Sequence, residues 1–320
     1  MRIHAFLLVT TAVGAGSAPA QDVKEATRTT YTYDSNGRRQ SPYGQATSSS
    51  AGGSSQSQTV VDVNGRRVQL ESAEEKVISE GPDGRVIERL VKKFDSQGRL
   101  TGQEKSQIEE NKSSSGLTVR ATVYDRDLNG QFALRERKTT VTNKDGVTTN
   151  SQTTVERPTV NGNLDLEERT LAVITGDEAK SLKEVTVFRK DQQGSFAPAV
   201  REITETTKQG DREVANTSEF NSASTGRMEL IGQKVSQTVK NADGSESQVV
   251  DVFGANNPGQ SSSGYSREPK LRERQLIERT PGADKSMVES FSIQRPALDS
   301  GRLGAPQKIS ETVCQGHCRP

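Results

Sequence analysis

Apolar and polar residues alternate along most of this chain, in short runs that end at turn signals. In the run from Leu117 to Val123, every second residue is apolar and the residues between are Thr or Arg. A period of two belongs to the β-strand, whose successive side chains point to opposite faces. Val, Thr and Ile dominate these runs, and Gly, Asn and Asp bound them. The pattern predicts an all-β protein.

A longer period lies over this alternation. Glycine recurs every 32 residues, an apolar residue follows two positions later, and a second turn signal falls midway. The glycines are Gly98, Gly130, Gly162, Gly194 and Gly226, followed by Leu100, Phe132, Leu164, Phe196 and Met228; the midway signals are Ser115-Gly116, Asp145-Gly146, Gly176-Asp177, Gln209-Gly210 and Asp243-Gly244. A fixed period of this size indicates one supersecondary unit that is stabilised by its neighbours. Each unit is predicted to be one long antiparallel hairpin.

The arrangement of the hairpins follows from how polar the strands are. The run Arg135 to Asn143 carries charged or hydroxyl residues on both faces, so cross-strand Thr pairs and ion pairs must replace a core. We therefore expect an elongated antiparallel meander, with a β-solenoid or a propeller as the alternatives. An outer-membrane barrel needs an outward apolar band about 25 Å tall. Glu, Lys and Arg interrupt every candidate band, which argues against that class.

The repeat also divides the chain. Residues 1–20 have a basic start, an apolar stretch and the small-residue sequence Ala18-Pro19-Ala20, which predicts a secretory signal peptide. The further segments are a 21–58 N-terminal part with a Ser/Gly-rich linker from Ser41 to Gln58, a 59–253 hairpin array, a 254–266 low-complexity insertion, 267–312 divergent C-terminal repeats and a 313–320 cysteine-containing tail. We expect a secreted or periplasmic protein of the cell envelope.

Composition narrows the function classes. Hydrophobic residues make up 30% of the chain and aromatic residues 4%, and there is no Trp, so a thick core is hard to build. Loss of Arg2 with the signal peptide leaves basic and acidic residues in balance, which argues against nucleic acid and anionic membrane surfaces as partners. No later stretch has the roughly 18 apolar residues of a membrane helix.

Two turns share an order of residues: aromatic, Asp, two residues, Gly, Arg. They run from Tyr31 to Arg38 and from Phe94 to Leu100. This order resembles the YD repeats of the Rhs family, although it lapses elsewhere, as before Gly162, and turn chemistry alone also accounts for it. The resemblance covers only these short segments. It implies a β-hairpin surface module of the kind found in shells and cell-surface proteins.

One segment matches a calcium-loop pattern. The stretch from Asp125 to Glu136 resembles an EF-hand loop, whose oxygen ligands would be Asp125, Asp127, Asn129, the Gln131 carbonyl and Glu136. The flanking sequence is β-rich, whereas an EF-hand needs helices. Gly130 also belongs to the 32-residue series, so an Asx-rich hairpin turn is the alternative. Calcium is the cofactor that this sequence pattern predicts.

The tail offers a second chemical candidate. Cys314 and Cys318 flank Gly316 and His317, which predicts a disulfide in an exported protein, with a metal site or a link to another chain as alternatives. His317 is the only histidine left after cleavage, and no other catalytic constellation stands out. We therefore expect no enzyme.

Two function classes remain. Repetition without a catalytic cluster favours a structural, adhesive or assembly role at the cell envelope or outside the cell. The alternative is a calcium- or carbohydrate-binding module, centred on the loop from Asp125 to Glu136 or on exposed hairpin aromatics. Its partners would be proteins or carbohydrates at the cell surface.

Overall fold

The structure is a computed structural model that describes residues 24–316, except 52, 64, 128, 192, 224–225, 255–268, 284–285 and 298–300. The described residues form strands alone, as the alternation predicted. They are β1 (Lys24–Tyr33), β2 (Arg39–Ala51), β3 (Ser54–Val63), β4 (Arg66–Gly81), β5 (Gly84–Phe94), β6 (Leu100–Ser113), β7 (Gly116–Arg126), β8 (Phe132–Asp145), β9 (Thr148–Pro158), β10 (Leu164–Gly176), β11 (Lys180–Lys190), β12 (Phe196–Gln209), β13 (Arg212–Ser222), β14 (Met228–Lys240), β15 (Glu246–Gly254), β16 (Lys270–Pro281), β17 (Met287–Gln294) and β18 (Gln307–Gly316).

The strands form one closed barrel. Each strand pairs antiparallel with the strand before it, and β1 also pairs with β18, which closes an 18-stranded sheet. The predicted meander of hairpins is confirmed, but its predicted elongated form was wrong, as were the solenoid and the propeller. Sequence alternation sets how the strands pair with their neighbours. It does not show that the first strand meets the last, which removes both unpaired edges.

A repeated β-bulge accompanies the repeat. In β10, Leu166 faces Glu156 and Glu168 faces Val155, so Glu167 is an extra residue in the ladder. The same irregularity occurs five residues after the turn glycine in four other hairpins, at Leu70, Arg135, Ala199 and Ile231. Bulges increase twist and bend a sheet locally. A bulge at the same height in successive hairpins favours the curvature that closes the barrel.

One end of the barrel is built by the glycine turns, and we call it the glycine end. Gly98, Gly130, Gly162, Gly194 and Gly226 all have φ between 77° and 82°. In each of these turns the glycine N–H donates to the carbonyl three residues earlier, as Gly130 does to Asp127 at 3.0 Å. The left-handed conformation explains why glycine recurs there. Both β1 and β18 have their chain-terminal ends at the opposite end of the barrel, which we call the terminal end.

Two of the expected segment boundaries do not appear in the structure. The Ser/Gly-rich stretch 41–58, expected to be a flexible linker, lies mostly in β2 and β3, and residues 24–33, expected to sit apart from the array, form β1. Ser and Thr on both faces suit a wall that is wet on both sides, so their abundance did not mark a linker here. Residues 1–20, residues 255–266 of the predicted 254–266 insertion and residues 317–320 of the tail lie outside the described residues, whereas Gly254 ends β15.

The barrel has two layers of side chains and little core. Directly paired residues share a face, so the register divides the strands into two continuous surfaces. All six buried residues of the described chain lie on the same surface: Val68, Ala73, Val91, Ser106, Val123 and Cys314. Side chains converge on the concave side of a barrel and shield one another, so this surface is the inner wall.

Candidate functional site

The lumen is the first candidate site. Eighteen strands, spaced about 4.8 Å apart and tilted about 40°, place the backbone on a circle roughly 35 Å across. Contacts between strands run almost entirely between neighbours along the sheet, so the strands leave the lumen unfilled. Inward side chains narrow the lumen to roughly 25 Å.

Ion pairs line the inner wall. Arg85 donates two hydrogen bonds to Glu110, at 2.8 and 3.0 Å, and these bonds raise the pKa of Arg85. Arg279 of β16 bridges Glu246 of β15 and Glu289 of β17, with 2.7 Å between Arg279 Nε and Glu289 Oε2. Because both signs are present and paired, the wall is strongly polar without a single-sign field.

Hydroxyl pairs fill the space between these charges. Thr140 and Thr153 face each other across β8 and β9 with their hydroxyl oxygens 2.9 Å apart, and Thr204 and Thr217 repeat the same pair 64 residues later. These contacts are the cross-strand Thr pairs that the sequence predicted. They stabilise the sheet where no apolar core exists.

Small side chains line the inner wall at β1–β4. There, Ala26, Ser48, Ser57 and Ala73 form one row of directly paired small inward residues. A shallow cavity of about 480 Å³ crosses the same strands, and most residues of its lining, such as Thr27, Gln58 and Glu74, belong by register to the outer wall. The cavity can hold water and small polar solutes, since its lining offers hydroxyl and amide groups.

The outer wall is also polar. Arg120 pairs with Glu109 at 3.6 Å, and Arg274 donates to both carboxylate oxygens of Asp251, at 2.6 and 2.8 Å. A membrane barrel would place these side chains against lipid, where each Arg near the midplane costs about 2–4 kcal/mol. Therefore neither wall has the uninterrupted apolar band of a lipid-facing surface. Helices long and apolar enough to cross a membrane are also lacking among the described residues.

The aromatic residues concentrate on the outer wall near the glycine end. Tyr124, Phe188, Phe220 and Phe253 each face an apolar residue on the next strand, and the register places a basic or amide residue on the strand before. These residues are Lys105, Arg169, Arg201 and Gln233, each seven residues after a turn glycine; Arg137 holds the same repeat position but faces Glu156. This set was not predicted from the sequence, although its 32-residue spacing is visible there.

Four of the five proposed calcium ligands are engaged by other groups of the chain. Asp127 caps its turn, because its carboxylate accepts the N–H groups of Asn129 and Gln131 at 2.9 and 2.8 Å. The Gln131 carbonyl accepts the N–H of Asp127. Asp125 and Glu136 both contact Arg135, at 3.1 and 3.5 Å. No group of three or more His, Cys, Asp or Glu able to hold a metal occurs among the described residues. Calcium binding stays a prediction.

One of the two cysteines lies within the described residues. Cys314 is in β18 near the terminal end, next to β1, and is 6% exposed. Cys318 and both histidines of the chain fall outside the described residues, so the predicted pairing of Cys314 with Cys318 stays a prediction.

The comparisons with known proteins identify the fold. OpdL of Pseudomonas aeruginosa superposes with a TM-score of 0.56 at 8% identity, covering 93% of this chain and 98% of its own. OpdO of the same organism gives 0.55 at 9% identity, covering 92% and 96%. A mutant of the Rh. blastica porin gives 0.51 at 8%, covering 92% and 98%. The sequence matches no protein-family profile and no curated protein.

These likenesses extend over nearly the whole chain, so the protein has a porin-like, closed antiparallel β-barrel. At this level of identity they concern the fold alone. What passes through or binds to the barrel must be inferred from its own walls.

Proposed function

We propose that this protein is a hydrophilic, water-filled conduit of the cell envelope. The observation that carries the proposal is the closure of eighteen strands around a lumen lined by charged and hydroxyl side chains. Such a lumen admits water and polar solutes and disfavours apolar ones. The predicted signal peptide and the porin-like fold support an envelope location. We infer no catalytic role.

The polar outer wall favours an aqueous setting for this conduit. Arg120, Arg137, Arg169 and Arg201 would each cost free energy if lipid surrounded them, up to about 2–4 kcal/mol near the midplane and less toward the interfaces. The conduit is therefore proposed to stand in a hydrated layer of the envelope. In this role the lumen is the functional part of the protein, unlike in the predicted adhesive role.

A second candidate is a channel through the outer membrane. The superposition on a porin favours it. Purification separates the two candidates: a hydrated conduit stays monodisperse without detergent and gives no conductance in planar lipid bilayers. Stable single-channel conductance, together with a need for detergent, would establish the membrane channel instead.

Cysteine labelling tests the lumen itself. Thr170 faces Thr153 and Val187 on the inner wall, whereas its neighbour Leu171 faces outward. In a background with Cys314 and Cys318 replaced by serine, we expect a small maleimide to label both Thr170→Cys and Leu171→Cys. A maleimide carried on a globular protein wider than the lumen should label only Leu171→Cys. Equal labelling of both positions by the bulky reagent would contradict a closed conduit.

A further inference from the structure

A repeated row of side chains encircles part of the outer wall near the glycine end, and we call it the outer belt. Each unit places a basic or amide residue, an aromatic or acidic residue and an apolar residue on three successive strands, in direct register. The units are Lys105, Tyr124 and Leu134; Arg137, Glu156 and Leu166; Arg169, Phe188 and Pro198; Arg201, Phe220 and Leu230; and Gln233, Phe253 and Leu271.

The arginines of the outer belt lie against the wall. The guanidinium of Arg169 sits over the Phe188 ring, 4.7 Å from its centroid. The Nε atoms of Arg137, Arg169 and Arg201 are buried without a hydrogen-bond partner among the described residues. A repeated orphan donor at one repeat position is unusual, because buried polar groups are normally satisfied.

The charge of the outer belt is mostly positive. Four cations and the single carboxylate of Glu156 make up the ionic groups of the row. Lys105 contacts Glu88 and Arg201 pairs with Glu184 at 3.0 Å, whereas no ion pair of Arg137 or Arg169 occurs among the described residues. The terminal N–H groups of these two arginines are therefore the ones that can donate hydrogen bonds to an external anion.

The spacing indicates what kind of anion fits. Equivalent residues recur on every second strand, which separates them by roughly 10 Å around the barrel. A linear, periodic ligand can engage several such units at once, whereas a compact protein cannot follow a convex row over eleven strands. Aromatic faces and apolar neighbours suit the C–H faces of sugar rings, and guanidinium groups bind carboxylates through two parallel hydrogen bonds.

We propose that the outer belt binds a linear anionic polysaccharide, laid around the outer wall with its carboxylates at Arg137 and Arg169. The sugar rings then contact Phe220 and the Arg169–Phe188 pair. Repetition of weak sites along one polymer gives avidity that one unit lacks. The outer wall thereby seats the barrel in a hydrated, acidic glycan layer.

Polygalacturonate is a suitable probe, with neutral dextran as its uncharged counterpart. We expect the mature protein to bind polygalacturonate and not dextran in calorimetry, and to lose affinity as salt is added. The double change Arg137→Gln with Arg169→Gln should weaken binding about tenfold or more, and Phe188→Ala should weaken it as well.

The matched control removes two arginines from the inner wall, Arg157→Gln with Arg189→Gln, which pair there with Glu136 and Glu168. Its affinity for polygalacturonate should stay unchanged, and thermal melts should show all variants folded. Equal weakening by the control, equal binding of dextran or no binding at all would overturn the proposal. Binding to phosphatidylglycerol vesicles in place of polygalacturonate would assign the outer belt to lipid. Each outcome is independent of the labelling of the lumen.

Discussion

At the residue scale, the carboxylates of the glycine-end turns act on their own backbone. Asp95 accepts the N–H groups of Gln97 and Arg99 at 2.8 and 2.9 Å, and Asp191 accepts those of Gln193 and Ser195 at 2.8 and 2.9 Å. Asp127 does the same within the calcium-like loop. The spacing of acid, amide and glycine in that loop is thus explained by an Asx-turn, which needs the same residues.

Turn carboxylates at both ends of the barrel predict an acid-sensitive contribution to stability. Backbone N–H donors lower the pKa of Asp95 and Asp177, and the Ser245 hydroxyl, followed by its N–H, lowers that of Asp243. A group with a depressed folded-state pKa contributes stability above its ordinary pKa and loses it as the pH falls. We expect the triple change to Asn at these positions to lower the melting temperature at neutral pH, because Asn keeps an acceptor without the charge. The difference from the unchanged protein should vanish in strong acid. A difference in melting temperature that stays constant across the pH range would contradict the assignment of this stability to ionised turn carboxylates.

At the element scale, the unit is a hairpin with a glycine turn, a bulge and a strand pair of mixed polarity. The alternation and turn residues predicted the strands well, because both depend on local geometry. The bulges were not predicted, since the extra residue can be Leu, Arg, Glu, Ala or Ile. Only the partner strand shows that such a residue is extra.

Alanine substitutions at two glycines distinguish the cost of a left-handed φ from the cost of a steric overlap between strands. Gly98 has φ +81° and open space around it, so Gly98→Ala should cost about 1 kcal/mol of unfolding free energy. A Cβ at Gly116 would overlap the carbonyl oxygen of Thr142 on β8, so Gly116→Ala should cost about 2 kcal/mol or more. Urea unfolding of both variants measures the difference. A larger loss for Gly98→Ala would mean that β7 and β8 pack less closely than the structure has them.

At the scale of the whole molecule, closure depends on the seam between β1 and β18. Seven residue pairs join these strands, against ten between β6 and β7. Glu311 of β18 accepts hydrogen bonds from Lys308 at 2.6 Å and from Tyr33 of β1 at 3.3 Å, and Arg39 of β2 lies 3.7 Å away. This cluster ties the last strand to the first two.

With as few residue pairs as β17–β18 and fewer than β6–β7, the seam should be among the first parts of the sheet to open. The hydrogen bond from Lys308 lowers the pKa of Glu311, so its contribution is present above the ordinary carboxyl pKa and is lost as the pH falls. We expect Glu311→Gln to raise amide hydrogen exchange in β1 and β18 at neutral pH, with little change elsewhere. Glu110→Gln, far from the seam, serves as the control. Uniform exchange across all strands in both variants would contradict a distinct seam.

The candidate sites could also be predicted only in part from the sequence. The basic residues of the outer belt stand at a fixed distance from each glycine, so their repetition was visible in the sequence. Their position beside Tyr124, Phe188 and Phe220 depends on registers that include bulges. Asp125 and Glu136 looked like partners because they lie near one another in sequence, yet each is engaged by Arg135, which a bulge turns inward.

The sequence by itself determined the strands, the turns at both ends and the polarity of both surfaces, because these follow from alternation, glycine conformation and composition. The tertiary structure alone decided that the hairpins close into a barrel, which surface faces the lumen and which charges meet. Closure is a long-range event: each bulge adds a small bend, and only their sum over all strands brings β1 to β18.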